Sequence, residues 1–439
     1  MPILIVIIGV GVLLLLIAGL RLHPFLSFIL VALGIGLAEG MDWLATIEAI
    51  QNGIGGTLGY LLLILGLGSM LGALVANSGA ALVIARFLSG LFGKKYLSWA
   101  LMLTGFIVGI PMFYTVGFIV LVPLVFVMAK ETKLPLVYVG LPMLAALSVT
   151  HGYLPPHPAP TALVQDFGAD FGLTLLYGLV VAVPAIVLAG PVYAQRLRHL
   201  RPEPRSDLFA TAQQTPENLP GVGLSLFSAL LPVLLIASST IASLIFPEGN
   251  ALTHFLSLIG HPVLAMLLAV LIALCTLGLR RGKDMKQLGQ ELNQSIQNIA
   301  AILLVIAGAG ALKAVLSSSG VSDYLAEALV GLSVSPLILA WGMAALIRVC
   351  VGSATVAGLT TAGIILPLVQ SSGASPELMV LATGAGSLMF SHVNDTGFWL
   401  FKEYFNLSLR DTLLSWSVME TIVSTVGLLG VLVLDAGMN

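Results

Sequence analysis

Apolar runs of near-spanning length recur from one end of the chain to the other, each stopped by a short polar or proline-rich stretch. About 20 apolar residues of helix cross about 30 Å of hydrocarbon, so the pattern predicts an all-α polytopic membrane protein. Spans are expected at 3–20, 25–38, 57–76, 97–129, 173–193, 224–246, 262–279, 299–316, 336–369 and 412–434. Two of these are too long for one straight helix. The run 97–129 should split at Gly109-Ile110-Pro111, because a proline removes a backbone donor and clashes with the preceding turn. The run 336–369 should split at Gly352-Ser353-Ala354-Thr355. Segments 79–91, 321–332 and 398–405 read as amphipathic. Two more segments, 136–150 and 376–390, enter the membrane and meet polar interruptions. The first holds His151, Pro155, Pro156, His157, Pro158 and Pro160, and that many prolines cannot continue a helix. The second holds His392, Asn394, Asp395, Thr396 and Gly397. Re-entrant hairpins are the expected geometry, tolerated where protein or a water-filled cavity satisfies the backbone.

The order of these features repeats. Gly79 and Gly320, Pro135 and Pro376, and His151 and His392 each lie 241 residues apart, and Pro123 and Pro367 lie 244 apart. Each half holds an odd number of full crossings, so the second should be inverted; broken helices at matching places in inverted repeats point to a secondary transporter. Charge placement fits this topology. With Arg21 inside, 14 of the 18 basic residues fall on the inner side, as the positive-inside rule asks. Lys130 and Lys133 fall outside, and Lys313 and Arg348 lie within helices. The expected organisation is N-terminal spans over 1–50, a first transport repeat over 51–195 and a cytoplasmic linker over 196–223. A connecting helical hairpin over 224–290 and an inverted second repeat over 291–439 complete it. Ten spans leave both termini outside.

Composition narrows the class. The chain is 58% hydrophobic and 9% charged with mean hydropathy +1.06, against roughly a quarter charged in soluble domains. Residues 1–20 lack a basic leading region and a small-residue cleavage site, so they read as a retained span. Cys275 and Cys350 sit in apolar helix, which argues against a disulfide framework or thiolate metal site. No Gly-x-Ser-x-Gly, His-Glu-x-x-His or Gly-x-x-x-x-Gly-Lys pattern occurs, so a hydrolase and an ATP-driven pump are not expected. A passive channel would not need two broken-helix repeats. No cofactor, metal or nucleic-acid partner is expected.

The polar residues inside the membrane are the candidate site, since such groups cost free energy and mark substrate or ion pathways. A split helix offers unpaired N–H groups at its new N-terminus, a cradle for a carboxylate. The candidate substrate residues are Pro111, Tyr114 and Thr115 at the first break; His151, Pro156 and His157 at the first hairpin; Arg348, Gly352, Ser353 and Thr355 at the second break; and His392, Asn394, Asp395 and Thr396 at the second hairpin. Arg348 either pairs with a substrate carboxylate, bidentate and permanently charged, or forms a structural pair with Asp395 or Glu420. Asp395 and Glu420 are the candidate proton carriers. His151, His157 and His392 are either hydrogen-bond donors on the pathway or satisfied structural residues; the spacing of His151 and His157 does not suit a helical zinc pair.

Three stretches carry a family resemblance: SHVNDTGFWLFKEYF at 391–405, GSATV at 352–356 and HGYLPPHP at 151–158, with further similarity at 138–142, 190–191 and 419–421. The chain resembles the gluconate:proton symporter (GntP-type) family of bacterial inner-membrane permeases along its length. The resemblance implies uptake of gluconate or a related sugar acid with protons, and membership in a wider superfamily of elevator-like two-repeat carriers that form homodimers. The chain departs from the family pattern at Thr115, Asn77 and Ser318, where carboxylates are usual, which leaves Asp395, Glu420 or a histidine to couple transport. A carrier for another small acid such as D-serine, or coupling to sodium, is the alternative.

Overall fold

The computed structural model describes residues 2–202, 218–247, 250–321, 324 and 334–438. Most of the amphipathic segment expected at 321–332, and Arg205 with most of the expected linker, lie outside these residues. The described residues form helices and turns and no strand.

The first half runs α1 (Pro2–Leu14), α2 (Pro24–Ala38), α3 (Trp43–Asn77), α4 (Ala80–Phe92), α5 (Leu97–Gly109), α6 (Tyr114–Thr132), α7 (Leu136–Tyr153), α8 (Pro158–Phe167) and α9 (Phe171–Val187). The connecting section holds α10 (Val222–Ile245), α11 (Ala251–Ile259) and α12 (Pro262–Ala273). The second half runs α13 (Met285–Ser318), α14 (Pro336–Val351), α15 (Ala354–Ser371), α16 (Pro376–Gly386), α17 (Thr396–Tyr404) and, after the turn Leu409–Thr412, α18 (Val418–Met438). Among the described residues ten helical stretches are long and apolar enough to cross a membrane. The number matches the expectation, but the set differs. The 15-residue α2 is a short apolar helix outside that set, and the hairpin arm 136–167 is within it. Exposed apolar side chains such as Leu4, Ile7, Val12 and Leu15 on the first helix are those that hydrocarbon would cover.

Both breaks fall where the sequence puts them. α5 stops at Gly109 and α6 starts at Tyr114, on either side of Pro111. α14 stops at Val351 and α15 starts at Ala354. Gly352 turns the chain with φ +82°, and a Cβ there would lie 2.2 Å from the Asn394 carbonyl oxygen, so only glycine fits.

The halves share fine detail. Asp42 and Asp284, 242 residues apart, cap α3 and α13: Asp42 accepts from the Leu44 N–H at 2.9 Å and Asp284 from the Gln287 N–H at 2.7 Å. From these caps both helices start 14 residues before the expected 57 and 299, about four turns earlier. At 35 and 34 residues each is about 50 Å long, longer than the hydrocarbon. Gly79 and Gly320 both have φ +77°. α3 and α13 pack antiparallel. A Cβ on Gly53 would lie 2.4 Å from the Gly310 oxygen, while further along α3 the Ser69 hydroxyl donates to the Ser295 carbonyl at 2.7 Å. α8 is tied to this pair by the Lys313–Asp166 ion pair and by Gln165 Nε2 donating to the Gly56 carbonyl at 2.9 Å.

α7 is the most enclosed helix. Every one of its residues except His151 is buried, and His151 faces a cavity.

Candidate functional site

The turns that follow α7 and precede α17 close the two helix breaks. A helix that stops leaves carbonyls without intrahelical donors. At the first break, His157 Nε2 lies 2.9 Å from the Gly109 carbonyl oxygen. At the second, Asn394 Nδ2 donates to Val349 at 2.8 Å and to Cys350 at 3.3 Å, and His392 Nε2 lies 2.9 Å from the Val349 oxygen. Carbonyls only accept, so both imidazole Nε2 atoms carry hydrogen. Gly109 and Cys350 are 241 residues apart, and each break is met by the turn that follows it in the chain. In this structure His157 and His392 each reach a backbone carbonyl through Nε2, and His157 Nδ1 is buried without a partner.

Between the breaks lies a cavity of about 350 Å³. The starts of α6 and α15 meet here, contributing Phe113, Tyr114, Thr115, Ser353 and Thr355, with Gly352 beside them. His151 and Ser148 come from α7, Arg348 from α14, Asp395 and Thr396 from the second hairpin, and Trp416 and Glu420 from the last helical stretch. First-turn amides have no acceptor inside their own helix, so two helix N-termini present donors and positive dipole ends to one volume.

Arg348 is buried at 4% exposure, and its Nη2 makes an ion pair with Asp395 Oδ2. Its Nε and Nη1 are buried without a partner. Asp395 is held from three sides. Beside Arg348, Ser391 donates its hydroxyl to Oδ2, and the Gly397 N–H donates to Oδ1 at 3.0 Å, the N-cap of α17. Trp416 Nε1 in turn donates to Ser391 Oγ at 2.7 Å. Glu420, at 2% exposure, takes the Ser148 hydroxyl at 2.7 and 2.9 Å. The Tyr114 hydroxyl and His151 Nδ1 are also buried without partners. A buried donor without an acceptor is costly, so the cavity presents unspent hydrogen-bonding capacity around one guanidinium. Among the described residues no three His, Cys, Asp or Glu side chains converge as a metal site would require.

A larger cavity of about 730 Å³ adjoins the first and shares Phe113, Thr115 and Ile302 with it. Its lining includes Pro111, Ser69 and Asn77, and the amides Gln290, Gln294 and Asn298, four residues apart on one face of α13.

Ten of the residues singled out from sequence surround the smaller cavity: Tyr114, Thr115, His151, Arg348, Gly352, Ser353, Thr355, Asp395, Thr396 and Glu420. Pro111 lines the larger one. Pro156, His157, His392 and Asn394 line neither; they build the hairpin tips. Sequence reasoning missed the parts played by Ser148 and Trp416. Each had a signal: Ser148 precedes His151 by three, and Trp416 precedes Glu420 by four, the spacings that put two residues on one helix face.

Comparison with known proteins agrees with a carrier. Residues 1–437 match the profile of the GntP family permeases. The chain is 50% identical over 435 residues to the High-affinity gluconate transporter of Escherichia coli (strain K12), covering 99% of each. It is 48% identical over 436 residues to the Gnt-II system L-idonate transporter of the same organism, again covering 99% of each. Among solved structures the fold is similar to that of the Alcanivorax borkumensis YdaH transporter, with TM-score 0.66 and 17% identity over 94% of this chain and 98% of that one.

Proposed function

The chain belongs to the GntP permease family and is a multi-pass bacterial inner-membrane permease, not an enzyme, and from that premise we propose that it imports gluconate or a related sugar acid by proton symport. The observation that carries the reading is Arg348, a buried guanidinium with two unpartnered nitrogens in a cavity rich in hydroxyls. A carboxylate is its natural ligand, and Ser148, Ser353, Thr355, Thr396 and the Tyr114 hydroxyl suit a polyhydroxy chain. Two similar proteins are named for gluconate and for L-idonate, both six-carbon polyhydroxy acids.

In this reading Arg348 and the N-termini of α6 and α15 hold the carboxylate, and the hydroxyls with His151 hold the chain. Asp395 and Glu420 are the groups beside Arg348 able to carry the coupled proton. The halves 51–195 and 291–439 act as inverted repeats. The antiparallel packing of α3 on α13, with their matching aspartate caps, supports this. The carrier works in contact with membrane lipid and, by family analogy, as a homodimer.

Counterflow of labelled gluconate in proteoliposomes tests the substrate. Saturable exchange that unlabelled L-idonate competes away is the expected result. Exchange that neither sugar acid supports, with D-serine or another small acid exchanging instead, overturns it.

A further inference from the structure

Resting on the sugar-acid reading, the atoms of Arg348 indicate how substrate and proton are tied together. A guanidinium grips a carboxylate with two parallel N–H groups in one of two ways, Nε with Nη2 or Nη1 with Nη2. Both grips use Nη2. In this structure Nη2 is held by Asp395 Oδ2, and the free nitrogens are Nε and Nη1, which do not form a fork together. Nη2 carries one N–H in each fork, so a substrate carboxylate bound in either one shares that nitrogen with Asp395 and stands beside its carboxylate. Like charges set this close on one buried guanidinium favour protonation of one of the two acids.

We propose that Asp395 is the internal occupant of the substrate-carboxylate site, and that an arriving sugar acid displaces it from Arg348 as Asp395 takes up a proton. The ion pair passes from Asp395 to the substrate. One anion and one proton enter together, so the net charge of the site is unchanged.

The surroundings accommodate Asp395 in both states. Charged, it accepts from Arg348, Ser391 and the Gly397 N–H. Protonated, it keeps the Gly397 N–H on Oδ1 and donates from Oδ2 to Ser391 Oγ, whose second lone pair still accepts from Trp416 Nε1. The other titratable groups facing it are Glu420 on α18, His151 on α7 and Tyr114 on α6. Glu420 is bonded to Ser148 and His151 Nδ1 to nothing, so Asp395 alone is in direct competition for Nη2.

Titration calorimetry of gluconate into the purified full-length protein, in buffers of different ionisation enthalpy at alkaline pH, counts protons taken up on binding. Wild type should take up close to one proton per gluconate. Asp395→Asn should bind gluconate at least as tightly and lose the proton uptake; asparagine still caps α17, and Asp395→Ser, also a cap residue, replaces it if that variant does not fold. An Asp395 variant that binds with the wild-type proton count overturns the exchange. A wild type that binds no gluconate overturns the substrate reading instead. The same count with acetate, the bare carboxylate, then decides the exchange by the same two outcomes.

Discussion

His157 Nε2 lies 2.9 Å from the carbonyl oxygen of Gly109, the last residue of α5. The imidazole thereby bonds the end of a helix that Pro111 prevents from continuing, four residues before Tyr114 opens α6. His157→Ala removes a buried hydrogen bond and leaves the Gly109 carbonyl only the Met112 N–H at 3.3 Å, a cost of about 0.5–1.5 kcal/mol. The melting temperature by fluorescence scanning should fall, and His157→Gln, which retains a donor, should recover part of the loss. An unchanged melting temperature for the alanine variant would contradict the capping role.

The antiparallel crossing of α3 and α13 depends on glycine at the contact. A Cβ on Gly53 would meet the Gly310 oxygen at 2.4 Å, whereas one on Gly55 meets nothing within 4 Å. Gly53→Ala must push the helices apart and should cost about 1–3 kcal/mol, as overpacking does. Gly55→Ala should be neutral or slightly stabilising, by helix propensity. Monodisperse yield after detergent extraction, together with the melting temperature, distinguishes the two variants.

Arg348→Lys keeps the charge but loses the planar fork. Losing a charge-assisted bond of about 1.5–3 kcal/mol should weaken gluconate binding about ten- to a hundredfold, read as a raised KM in counterflow. A lysine variant with wild-type KM would mean that the substrate carboxylate binds elsewhere.

Coupling has a defined sign. A proton carried with the substrate is itself a substrate, so wild-type uptake should rise as external pH falls through the range in which the carrier group loads. Asp395→Asn, an amide that imitates the protonated acid, should flatten this profile while leaving counterflow intact. Glu420→Gln keeps a partner for Ser148 and serves as the comparison. Retention of pH-driven accumulation by both variants would exclude both carboxylates.

Much of this arrangement was legible because it rests on local chemistry. Pro111 and Gly352 announce breaks since one cannot donate and the other alone tolerates the turn. The prolines from 155 to 160 announce a hairpin tip. Helix starts were less legible. Hydropathy begins α3 at 57 and α13 at 299 because polar residues such as Glu48, Gln51 and Asn52 in α3 and Lys286, Gln287 and Glu291 in α13 interrupt the stretches that follow the Asp42 and Asp284 caps. The nine-residue α11 escaped notice because it is too short to cross the membrane and sits between two expected spans. Partners were less legible. The sequence offers Arg348 either Asp395 or Glu420, and only the folded packing selects Asp395, 47 residues away; the bond of Ser148 to Glu420, 272 residues apart, exists only in that packing. The same limit holds for His157, whose place in the sequence does not show that its Nε2 meets the Gly109 carbonyl.

The most direct test of the account is uptake of labelled gluconate into proteoliposomes under an imposed pH gradient and, separately, under a sodium gradient. The account predicts accumulation above equilibrium driven by an inward proton gradient alone and abolished by a protonophore. Accumulation that requires sodium, or none under either gradient, would contradict it.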